Sequence, residues 1–137
     1  IWDTNLVPDG YHTLKVLASD EMSNPQDYYL TGEKTSDYIL VDNTAPEISE
    51  CNFTSVKDGY KIEVKVSDEL CVIKSVEYSV DSETKLRSAA PVDGLADSNK
   101  ETFTFDINPQ DKGEHFVTIR VTDIVGNKKT ICQKFIY

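Results

Sequence analysis

Residues 113–127 read GEHFVTIRVTDIVGN, and residues 10–24 read GYHTLKVLASDEMSN. In the first, Val117, Ile119 and Val121 alternate with Thr118, Arg120 and Thr122, the period of a strand with one buried face. It closes on Asp123 and the turn signal Val125-Gly126-Asn127. The second stretch lies over it without a gap. Gly10, His12, Asp20 and Asn24 match Gly113, His115, Asp123 and Asn127. Leu14, Val16 and Ala18 fall on Val117, Ile119 and Val121, and Ser19 falls on Thr122. The two stretches begin at Gly10 and Gly113, 103 residues apart. That offset is about one β-sandwich module, so one structural unit is used twice.

The rest of the chain agrees. ISECNFTSV (48–56), YKIEVKVSD (60–68), VEYSV (76–80), ETFTFDI (101–107) and KTICQKFIY (129–137) all read as strands. A short strand is also expected near Lys85–Ser88. Turn signals at Lys57-Asp58-Gly59, Asp68-Glu69-Leu70 and Asn108–Gly113 separate these runs, and no segment has helical periodicity. Residues 47–137 therefore predict six or seven short strands in an all-β, antiparallel sandwich. Within it GEHFVTIRVTDIVGN is the penultimate strand and its turn.

By the repeat, the first copy should also be a penultimate strand, followed by a last strand at SDYILVD (36–42). Trp2 is expected in the strand before it, and the connection through Asn24-Pro25 to Thr35 in a long loop. This divides the chain into residues 1–45, the last strands of one module plus a linker, and 46–137, a complete module. A hairpin is marginal alone, so the chain is expected to be a piece of a larger protein.

Composition narrows the function. The chain has 137 residues, 39% of them hydrophobic, enough for a packed core. Its net charge of −10 argues against nucleic acid and against anionic membranes. No apolar run is long enough for a membrane span. Cys51, Cys71 and Cys132 are too few for a disulfide scaffold or a zinc motif. They are either small semi-buried thiols or include one bridge, Cys51–Cys132 or Cys51–Cys71.

The stretches WDTNLVPDGYHTLKVLASDEMSNP, VDNTAPEI, IKSVEYSVDS and GEHFVTIRVTDIVGN together resemble bacterial immunoglobulin-like or fibronectin-III-like tandem modules. Such modules are found at the C-terminus of large secreted multidomain proteins. The resemblance covers nearly the whole chain. It implies an Ig-like sandwich preceded by the end of another, in an extracellular, cell-surface or periplasmic protein, with neighbouring domains of the same polypeptide as partners. The first copy departs from the pattern in carrying Ser23 where the second has Gly126.

Catalytic signals are weak. His12 and His115 occupy equivalent repeat positions, which suits a structural role near a strand start. No phosphate-binding loop, nucleophile elbow or metalloprotease motif is present. Asp20 and Asp123 end their strands, where a carboxylate can accept turn N–H groups. A sharper expectation is calcium: Asp42, Asn43, Asp68, Glu69 and Asp123 would gather at one end of the sandwich, where six to eight oxygen ligands could rigidify a junction. Tyr28, Tyr29 and Tyr38 are candidates for stacking on a polysaccharide. Asn52-Phe53-Thr54 fits N-glycosylation only in a eukaryotic secretory setting.

Overall fold

A computed structural model describes residues 1–24 and 27–137. The strands are antiparallel and the only helical element among the described residues is a 3-10 turn, Thr4–Leu6. Backbone contacts divide the chain into two compact units, Ile1–Asn43 and Thr44–Tyr137.

The second unit holds eight strands: β5 (Glu47–Val56), β6 (Gly59–Ser67), β7 (Ile73–Val80), β8 (Arg87–Ser88), β9 (Ala90–Pro91), β10 (Lys100–Ile107), β11 (Glu114–Asp123) and β12 (Lys128–Ile136). They form two four-stranded sheets, in the orders β5-β6-β10-β9 and β12-β11-β7-β8. Period-two alternation sets the inward residues. Ile62, Val64, Val66, Phe103, Phe105 and Ile107 from the first sheet share one core with Ile73, Val76, Val117, Ile119, Val121 and Phe135 from the second. This is a β-sandwich. The rings of Tyr78 and Phe105 stack between sheets at 3.9 Å, and the Tyr60 hydroxyl donates to Ile136 O at 2.7 Å. Between β5 and β6 the chain turns in two residues, and Gly59 follows with φ +146°. A Cβ there would lie 2.0 Å from Ile107 O, so only glycine fits.

The expected strand at Lys85–Ser88 is shorter, as β8, and is joined by β9. No disulfide joins Cys51, Cys71 and Cys132. Cys51 stands opposite Val64 in the first sheet, while Cys132 is exposed on β12 of the second. Burial raises the Cys51 thiol pKa, so it behaves as a small hydrophobe.

The first unit is an interrupted hairpin. Its strands are β1 (Gly10–His12), β2 (Lys15–Ser19), β3 (Thr31–Thr35) and β4 (Ile39–Val41). β1 pairs with β4, and β2 with β3. Residues 13–14 face residues 36–38, one residue more, which is a bulge. Side chains hold it: Leu14 N donates to Ser36 Oγ at 2.9 Å, and Ser36 Oγ donates to Asp37 O at 2.7 Å. Two expectations are corrected here. The connection after Asn24 contains strand β3, because main-chain pairing with β2 needs no apolar alternation in TGEKT. Trp2 lies in no strand; it precedes the 3-10 turn and sets its ring edge-on to His12 at 6.2 Å. Pro25 of the expected loop lies outside the described residues.

Candidate functional site

The repeated histidines and aspartates are the natural candidates, and each bonds main chain. His115 opens β11. Its Nδ1 meets Asp81 Oδ2 at 2.7 Å and its Nε2 meets Asp111 O at 2.9 Å. Both ring nitrogens face acceptors, so the charged imidazolium satisfies both at once. The bond to Asp81, and then the one to Asp111 O, raise the His115 pKa. His115 and the N–H of Phe116 in turn lower that of Asp81. Asp81 follows the last residue of β7 and has φ +50°. Its Oδ1 accepts Phe116 N, and its own N–H donates to Phe116 O. The imidazole stacks on Phe135 at 5.5 Å.

His12 repeats the central element. Its Nε2 lies 2.7 Å from Pro8 O, again the carbonyl four residues earlier.

The loop end of the second unit is knit by carboxylates. Asp123 is fully buried, and its Oδ1 accepts Gly126 N at 2.6 Å and Asn127 N at 2.9 Å. Its Oδ2 meets no hydrogen-bond donor among the described residues. Asp68 Oδ1 accepts Leu70 N and Cys71 N at 2.9 and 2.7 Å, and Glu101 Oε1 accepts Asp97 N and Ser98 N. Glu69 is exposed on the turn and, with Asp68, Thr44, Glu47 and Lys100, lines a shallow depression of about 300 Å³.

Asp42 and Asn43 belong to the first unit. The Asn43 amide donates to Thr4 O at 3.1 Å and Asp9 Oδ1 at 3.0 Å, and its Oδ1 accepts the Thr4 hydroxyl. In the same unit Asp20, the repeat equivalent of Asp123, accepts Leu30 N on Oδ1 at 2.6 Å, while the N–H groups of Ser23 and Asn24 donate to its main-chain oxygen. Tyr28 and Tyr38 are exposed, and Tyr29 is partly so. Tyr38 packs edge-on to Tyr11 at 6.4 Å, across the pair Tyr11↔Leu40.

Sequence reasoning missed Asp81, the partner of His115 Nδ1. It lies 34 residues away with no motif joining the two. No family model and no curated protein matches this sequence.

Proposed function

We propose that residues 44–137 are a non-catalytic immunoglobulin-like, fibronectin-III-like module that spaces or docks domains in a large extracytoplasmic bacterial protein, and that the hairpin of residues 10–41 is the closing hairpin of a second such module. One observation carries this reading. In both copies of the repeat the histidine bonds the carbonyl four residues earlier, so its recurrence serves the fold. The sheet orders β5-β6-β10-β9 and β12-β11-β7-β8 support it, since they correspond to a seven-strand immunoglobulin sandwich with one strand added. The mechanism is mechanical: two sheets share one core, and capped turns hold the ends.

A second reading is an adhesion or carbohydrate-binding module, rigidified by calcium. Tyr28 and Tyr38 are exposed enough to stack on sugar rings, and the buried Oδ2 of Asp123 is an oxygen to which no protein donor is assigned. Against calcium, Asp68 and Asp123 each commit one carboxylate oxygen to two N–H groups, and the Asn43 amide is committed within its own unit.

Thermal melts of 1–137 and 44–137, with calcium and with chelator, test the choice. The spacer reading expects 44–137 to melt cooperatively and calcium to change neither curve. A calcium-dependent rise in melting temperature overturns it in favour of the rigidified module. A glycan-array signal lost in Y28A/Y29A would do the same for the carbohydrate reading.

A further inference from the structure

Within the second unit the two sheets are covered unequally along one side. β9 pairs only with Phe103 and Thr104 of β10, and β8 only with Glu77 and Tyr78 of β7. Past these short strands a cleft of about 460 Å³ lies between β7 and β8 on one side and the end of β10 on the other. Tyr78 forms part of its wall, with its ring stacked on Phe105 at 3.9 Å, and residues 108–110 close one end.

Two cations line this cleft. Arg87 stands directly opposite Tyr78, and directly opposed residues share a face of the sheet. Ala89, two residues further, is in the core, so Arg87 is on the inward face as well. Lys85 lines the same recess. Among the described residues neither is in an ion pair. The acids close by are turned elsewhere. Asp106 is at the rim, yet it alternates with the inward Phe105 and Ile107 and stands across from Lys61 on the outer face of its sheet. Asp81 and Glu83 line a separate depression with Phe116 and Thr118, and Asp81 is bonded to His115. In a chain of net charge −10 this recess is therefore locally positive.

We infer that the cleft binds a carboxylate-bearing sugar, a uronate unit of an acidic polysaccharide. Two neighbouring cations repel one another and are stabilised by an anion set between them. The planar guanidinium of Arg87 can take a carboxylate on two parallel N–H groups, and the Lys85 ammonium adds a second charge. The rest of the lining suits a sugar ring. The Tyr78 hydroxyl and the Gln110 amide oxygen offer partners to ring hydroxyls, which an apolar ligand would leave unpaired. The volume falls within the range of about 300–1,000 Å³ usual for small-ligand sites. The site lies in the complete sandwich and goes beyond a spacer role without depending on it.

Titration of the isotope-labelled 1–137 chain with digalacturonate and with glucuronate, followed by amide NMR shifts, tests this. Saturable shifts of the Tyr78, Arg87 and Gln110 amides are expected, and neutral cellobiose should bind at least about tenfold more weakly. R87E and K85E should each raise the digalacturonate Kd about tenfold or more. K129E, which removes a lysine of β12, should leave it unchanged. All three positions are exposed, so the variants should keep the wild-type melting curve. No saturable shift with either acid, equal binding of cellobiose, or a loss as large in K129E as in R87E would each overturn the proposal. Tetraglutamate bound as tightly as digalacturonate would overturn it too, in favour of an acidic peptide as the occupant.

Discussion

The His115–Asp81 pair shows how two residues 34 apart in sequence fix a strand start. His115 has its pKa raised from 6.5, so its contribution is complete below that value and is lost as pH rises through the folded one. Asp81 has its pKa lowered from 3.8, so its contribution is present above that value and is lost as pH falls through the folded one. The clamp is therefore strongest between the lowered carboxylate value and the raised imidazole value. Melting temperature measured against pH should decline on the alkaline side of that window, and D81N should remove most of the His115-dependent part. An identical alkaline slope in both proteins would mean that the contact adds nothing. Gly59 makes a second prediction at this scale. G59A forces a Cβ toward Ile107 O at positive φ and should cost at least about 1–3 kcal/mol in a denaturant melt. A wild-type midpoint would show that the turn can open at no cost.

Strands were legible where one side chain in two is apolar and buried. β6, β10 and β11 announce themselves because Ile62, Val64, Phe103, Phe105, Val117 and Ile119 must alternate to fill a core between two sheets. β3 was not legible, since TGEKT is polar on both faces and is held by main-chain pairing to β2. The hairpin bulge was hidden for a similar reason, as it depends on the Ser36 hydroxyl reaching Leu14 N. Of the candidate site, the repeat revealed the histidines and the capping aspartates. Asp81 stayed hidden because only folding brings β7 and β11 together. The two copies of the repeated strand also differ in what their apolar residues do. Ile119 is fully buried and Val16, its equivalent, is exposed. I119A should cost about 2–5 kcal/mol, whereas V16A should stay within about 0.5 kcal/mol of wild type. Equal losses by chemical denaturation would mean that the Val16 face is covered as fully as the core.

At the scale of the whole molecule, one sequence pattern supports two units that should differ in stability. In the second unit two four-stranded sheets bury a shared core, and its turns are capped by Asp68, Glu101 and Asp123. In the first unit all five residues of β2 and all five of β3 are exposed. Their hydrogen bonds lack an apolar layer to exclude water. Regions of that kind open locally at far lower free energy than a core. Native-state hydrogen exchange should therefore give the amides of β6, β10 and β11 protection that approaches the global unfolding free energy. The amides of Val16, Ala18 and Asp20, which face β3, should exchange much sooner and with little dependence on denaturant, because little surface is exposed when the hairpin opens. Uniform protection across both units would instead require the hairpin to open only with the sandwich.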